Sequence, residues 1–154
     1  MLAIAGACAS EVPPATPSAP PPSQVPRERW SRYGELEGLP PANETAFPTR
    51  GHLVKPGYAV VRVSSEARAS YLALVTDSVV PDGTLVAMFH QSRDGAEKGA
   101  VYVMEKRASE WSFVALDAEG FPVEENLAVC ALCHRGGVAD HLFGLPRSLS
   151  GTAR

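Results

Sequence analysis

Five consecutive residues near the C-terminus, Cys130-Ala131-Leu132-Cys133-His134, constrain this chain more than anything else in it. Two intervening residues within a helical turn let both thiols reach one edge of a flat macrocycle, and the next residue is carried beneath its centre. The pattern therefore points to one covalently attached haem c. Cys130 and Cys133 would add to its vinyl groups and His134 would ligate the iron. A CxxC pair that works as a redox disulfide follows a strand in a thioredoxin-like pattern, which this sequence lacks. A zinc site would need a second pair, and only His52, His90 or His141 stand in for one.

The remaining cysteine, Cys8, lies in a different setting. Met1 to Ser10 (MLAIAGACAS) is apolar and rich in small residues. It falls short of the roughly 20 apolar residues that span a bilayer as a helix. Ala5-Gly6-Ala7-Cys8 looks like a bacterial lipoprotein cleavage box, so residues 1–10 are expected to be a signal remnant with Cys8 lipidated. Simple secretion and an incidental apolar start are the alternatives. The basic part of such a signal is missing and is expected upstream. Residues 11–26 (EVPPATPSAPPPSQVP) form a Pro-rich linker that buries nothing.

Covalent haem attachment is made outside the cytoplasmic membrane, so motif and signal agree on the periplasm or cell envelope. Any membrane association would run through the lipid on Cys8. With Cys8 assigned to the signal, only Cys130 and Cys133 remain, and no disulfide framework is expected. A net charge of −3 argues against a nucleic-acid partner.

Residues 27–154 are left as a single haem domain. A short helix is expected over Trp30–Leu36 and a β-branched strand over Tyr58–Val63. Ser64 or Ser65 can cap a helix placing Ala67, Tyr71, Leu74 and Val75 on one face. Pro81-Asp82-Gly83 reads as a turn. Strands follow at Thr84–His90, Gly99–Lys106 and Glu110–Leu116, the last two joined by a hairpin at Arg107-Ala108-Ser109. Pro122 to His134 reads as helix, stopped by Gly136-Gly137. Asp140–Phe143 reads as a short helical turn with Asp140 as its N-cap. The fold class is α+β: an antiparallel sheet with flanking helices and the haem on the C-terminal helix.

From about Tyr58 to Pro146 the chain resembles the cytochrome P-460 family, including its cytochrome c′-beta branch. The resemblance rests on the order of its elements. A strand and helix span Val60–Leu74, and Pro81-Asp82-Gly83-Thr84 leads into a strand. Trp111-Ser112-Phe113 lies in a later strand, followed by the Cys130–His134 motif and the ending Asp140-His141-Leu142-Phe143. The resemblance implies a single c-type haem with His134 as proximal ligand, an antiparallel sheet, and commonly a homodimer.

In the hydroxylamine-oxidising members a lysine in the strand after Pro-Asp-Gly cross-links to the porphyrin. Laid without gaps, that position is Met88, and the three lysines of this chain, Lys55, Lys98 and Lys106, lie elsewhere. A distal arginine of the family also lacks a counterpart: Arg62 is near, but the ungapped fit puts Ala59 there. The departures count against the cross-link and against hydroxylamine oxidation.

Strand alternation puts Val86, Met88 and His90 on one face and Leu85, Ala87 and Phe89 on the other. If Met88 holds the lysine's place, the first set faces the haem. The distal site is then apolar and open, or Met88 ligates through sulfur, or His90 ligates or hydrogen-bonds a ligand. A register shift of one would make Phe89 the distal residue instead. Arg135 is a candidate partner for a haem propionate.

The leading expectation is a five-coordinate haem binding a small diatomic such as nitric oxide at an apolar site. The alternatives are a His/Met electron-transfer cytochrome working with a redox partner protein, an oxidoreductase acting on hydroxylamine or nitric oxide, and a domain that keeps its haem for stability alone.

Overall fold

The computed structural model describes residues 27–49, 51–52 and 56–146. Cys8, the signal remnant and the Pro-rich linker lie outside the described residues. Among those described, no helix is long and apolar enough to cross a membrane.

The domain is a five-stranded antiparallel sheet in sequence order with three short helices. The strands are β1 (Phe47–Pro48), β2 (Tyr58–Val63), β3 (Leu85–Gln91), β4 (Lys98–Arg107) and β5 (Glu110–Leu116). The helices are α1 (Tyr33–Gly38), α2 (Ser65–Leu72) and α3 (Leu127–His134). Every connection between neighbouring strands is local, so the sheet is a meander, interrupted between β2 and β3 by α2.

Strand register follows from burial on both faces, since a slip of one residue would exchange the faces. Met88 pairs with Val61 on β2 and Tyr102 on β4, and Met104 pairs with Phe113 on β5. These residues share one face. Leu85, Ala87, Phe89, Val101, Val103 and Leu116 occupy the other. The β4–β5 hairpin turns on Ala108 and Ser109, both with positive φ, as a two-residue loop requires. The Ser109 backbone N–H donates to Asp82 Oδ1 at 2.9 Å, tying the hairpin to the Pro81-Asp82-Gly83 turn.

The second face is closed by α1 and its flanks. Tyr33, Leu36 and Leu39 pack on it, and the Tyr33 hydroxyl donates to the Ala118 carbonyl at 2.8 Å. The Tyr33 ring lies directly against Gly120 (φ +90°), where a Cβ would overlap it. The first face carries Val61, Val63, Val86, Met104, Tyr71 of α2 and Leu142. It is covered only in part by α2, α3 and the segment after α3.

Three expectations are corrected. The first helix starts at Tyr33 and runs to Gly38, rather than over Trp30–Leu36. The last helix starts at Leu127, because Pro122 and Val123 stay extended: Pro122 bridges Leu116 and the Val123 N–H donates to the Ala115 carbonyl. Asp140–Phe143 is no helical turn, and Asp140 caps nothing. Asp140 and His141 have φ of +46° and +62°, and Ala139 pairs with Leu142 across a tight reverse turn.

Candidate functional site

Helix α3 is apolar in sequence yet buries no residue fully. Its 130, 133 and 134 positions lie on one side by helical geometry. All three side chains border a cavity of about 890 Å³ between α3 and the first face of the sheet. Val61, Val86, Met88, Met104 and Phe113 form the sheet wall. Phe47 of β1, Tyr71 of α2 and the segment Leu142–Pro146 complete most of the rim. The lining is mainly carbon, and the volume lies in the range of small-molecule and cofactor sites.

His134 is held in one orientation. Its Nδ1 lies 2.8 Å from the His141 carbonyl oxygen, so in the neutral ring Nδ1 donates and Nε2 keeps its lone pair. The rings of Phe113 and Phe143 flank it, with centroids 5.5 and 5.2 Å away. Burial lowers its pKa, with the His141 carbonyl opposing, so the imidazole is neutral at pH 7.

The His141 carbonyl is itself set in place. Gly137 lets the 139–142 turn fold back on the end of α3, because a Cβ there would sit 2.7 Å from His141 and Leu142 backbone atoms. Asp140 then anchors the turn. Its Oδ2 accepts from Lys106 Nζ at 2.6 Å and from the Val80 N–H at 2.9 Å, and its Oδ1 accepts from Trp111 Nε1 at 3.2 Å. Lys106 is buried and also donates to the Val80 carbonyl. Burial by itself would raise the Asp140 carboxyl, but these donors outweigh it and hold it below the usual carboxylate range.

Both cysteines are free thiols; Cys130 is half-buried and Cys133 exposed. Burial, then the charge of Glu125, pushes the Cys130 thiol up. Among the described residues, no group of three or more His, Cys, Asp or Glu is arranged to hold a metal ion. That leaves the zinc reading without a ligand set there. A haem needs only the two thiols, an axial donor and a cavity for its macrocycle, and those are the groups that face each other here.

The other sequence candidates divide. Val86 and Met88 line the cavity. Phe89 points to the opposite face, against the cluster that includes Leu85 and Ala87, with the Arg62 guanidinium over its ring. Period-two alternation keeps it from the cavity. His90 shares the Met88 face but is not solvated as a strand-end residue usually is. It is 1% exposed, its Nδ1 lies 3.1 Å from the Ala100 carbonyl oxygen, and burial lowers its pKa to about 4. Arg135 is exposed at the end of α3 and does not line the cavity. Lys106, on the Met104 side of β4, is occupied by Asp140.

Two residues that alternation within β3 could not supply complete the wall. Tyr102 comes from β4, where pairing with Met88 sets it on the cavity face. Its hydroxyl donates to Glu125 at 2.9 Å. His52 comes from the stretch between β1 and β2, where no periodic pattern marks it. It packs against Tyr102 and His90, with ring centroids 4.7 and 5.5 Å away. Its buried Nδ1 has no hydrogen-bond partner.

No protein-family model matches the chain, and no curated protein matches it.

Proposed function

We propose that this protein is an exported mono-haem c-type cytochrome that exchanges single electrons with a redox partner in the cell envelope. One observation carries the cofactor assignment: Cys130, Cys133 and an oriented, neutral His134 border the same large apolar cavity. A haem held there would supply a one-electron iron couple. Cys130 and Cys133 would form its thioether anchors, and His134 would ligate its iron. The His141 carbonyl fixes its tautomer and raises its basicity, as outer-sphere acceptors do for ligating histidines. Met88, Met104, Phe113 and Phe143 exclude water, which tunes the couple through the local dielectric.

Electron exchange is supported by the solvent exposure of α3 and of the segment after it. Cys133 is exposed, so the anchored edge of the macrocycle would lie near solvent. Around it Val129, Leu132, Val138 and Phe143 expose large apolar side chains, Leu132 to 63%. Apolar surface next to a redox edge suits brief docking of a partner. The antiparallel sheet preceding the motif is what a cytochrome P-460-like chain is expected to have, which supports membership of that family.

A second reading is favoured by Val86 and Met88. Neither brings a hydrogen-bond donor to the cavity, which suits a small neutral ligand such as nitric oxide.

The test is production of the full chain with a c-haem maturation system. One covalent haem per chain should survive denaturation, detected as a mass increase and by haem stain. The C130A/C133A double variant should carry none. A denatured wild-type chain at its unmodified mass sinks the proposal.

A further inference from the structure

We infer that His52 is the second axial ligand of the iron, so that the site is bis-histidyl. The inference rests on the cytochrome reading above and concerns only what faces His134 across the cavity. His52 lines that cavity, and its ring centroid lies 6.5 Å from the His134 centroid. An imidazole nitrogen bonds a transition metal at about 2.0 Å with its centroid about 1.1 Å behind, so two imidazoles on opposite faces of one iron sit about 6.3 Å apart. The separation lies at the long end of aromatic ring contacts, about 4.5–7 Å, and leaves the two rings no direct hydrogen bond. It matches two rings with one metal between them. The angle of 37° between the ring planes is compatible, because axial imidazoles can rotate about the metal–nitrogen bond.

The surroundings support the assignment. The Tyr102 and His90 rings brace His52 from the sheet, as Phe113 and Phe143 brace His134. This gives His90 a role that its sequence position did not suggest. It is a packing residue behind the ligand, locked by the Ala100 carbonyl. Met88 lines the same cavity from the sheet wall, among Val61, Val86 and Met104.

The experiment uses the full chain loaded with haem. Visible and electron paramagnetic resonance spectra of the wild type should be low-spin with a bis-imidazole signature in the ferric state. The H52A variant should become high-spin, and added imidazole should restore the low-spin spectrum. Ferrous H52A should bind carbon monoxide about tenfold or more tightly than the wild type, since no internal ligand has to be displaced. The wild-type spectrum decides the matter even if H52A fails to fold. A high-spin wild type overturns the inference. So does a low-spin spectrum that survives H52A but is lost in M88L, which would make Met88 the ligand. A chain that carries no covalent haem overturns the cytochrome reading and this inference with it, whereas each preceding result overturns the inference alone.

Discussion

The two faces of the sheet are built from the same kinds of residue and end in different states. On one, Leu85, Ala87, Val103 and Leu116 meet Tyr33, Leu36 and Leu39, and the space between is filled. On the other, Val61, Val86 and Met104 belong to an equally apolar cluster, yet a cavity of about 890 Å³ separates them from α3. Protein interiors are packed to the density of organic crystals, so an open cleft of that size against an apolar sheet face has room for a further component. The closed face is packed by the chain alone; the open face leaves room for a ligand.

The contrast can be broken most severely at the thiols. C130A/C133A should abolish covalent haem and lower the thermal midpoint by acting on the open face only. Calorimetry of the holo wild type against the double variant checks this, and equal midpoints would mean that the cavity contents add nothing to stability.

Asp140 comes next, because it braces the open face where α3 meets the sheet. D140N leaves the Lys106 ammonium buried without its counter-charge, which should cost about 4 kcal/mol in denaturant unfolding. The pH dependence has a definite sign. The folded-state Asp140 pKa is depressed, so its contribution is complete above the unfolded value of about 4 and is lost as pH falls through the lower folded value. The acid limb of the stability profile should therefore be shallower in D140N. A loosened His141 carbonyl should also broaden the haem spectrum, an effect that lost stability alone does not produce.

On the closed face, L116A should cost about 3 kcal/mol, and by the same amount with and without haem. A cost that depended on haem loading would show that the two faces are not separate. The smallest effect belongs to M88L. It conserves volume in a wall residue, should cost under about 1.5 kcal/mol, and should leave the spin state unchanged.

Much of the scaffold was legible in the sequence, for local reasons. β-Branched and apolar runs marked β2 to β5 to within a residue or two, and alternation along β3 set Val86, Met88 and His90 apart from Phe89. Period two is a property of the extended chain and needs no partner to exist. The turn after α3 was illegible because its conformation comes from contacts distant in sequence. Lys106, Trp111 and Val80 hold Asp140, and Gly137 admits the close approach. Asp and His tolerate positive φ better than most residues, but no local pattern singles out Asp140 and His141.

By itself, then, the sequence determined the chemistry on offer: two thiols and an imidazole at the spacing a covalent haem needs, on a helix that follows an antiparallel meander. Only the tertiary structure decided what faces that imidazole. Eighty-odd residues separate His52 from His134 along the chain, and no pattern of period two or 3.6 links them. They become neighbours because β3 and β4 present His90 and Tyr102 to one and the Gly137 turn presents a carbonyl to the other. Spacing along a chain fixes what a helix carries on one side, whereas the group across a cavity is set by how the sheet packs.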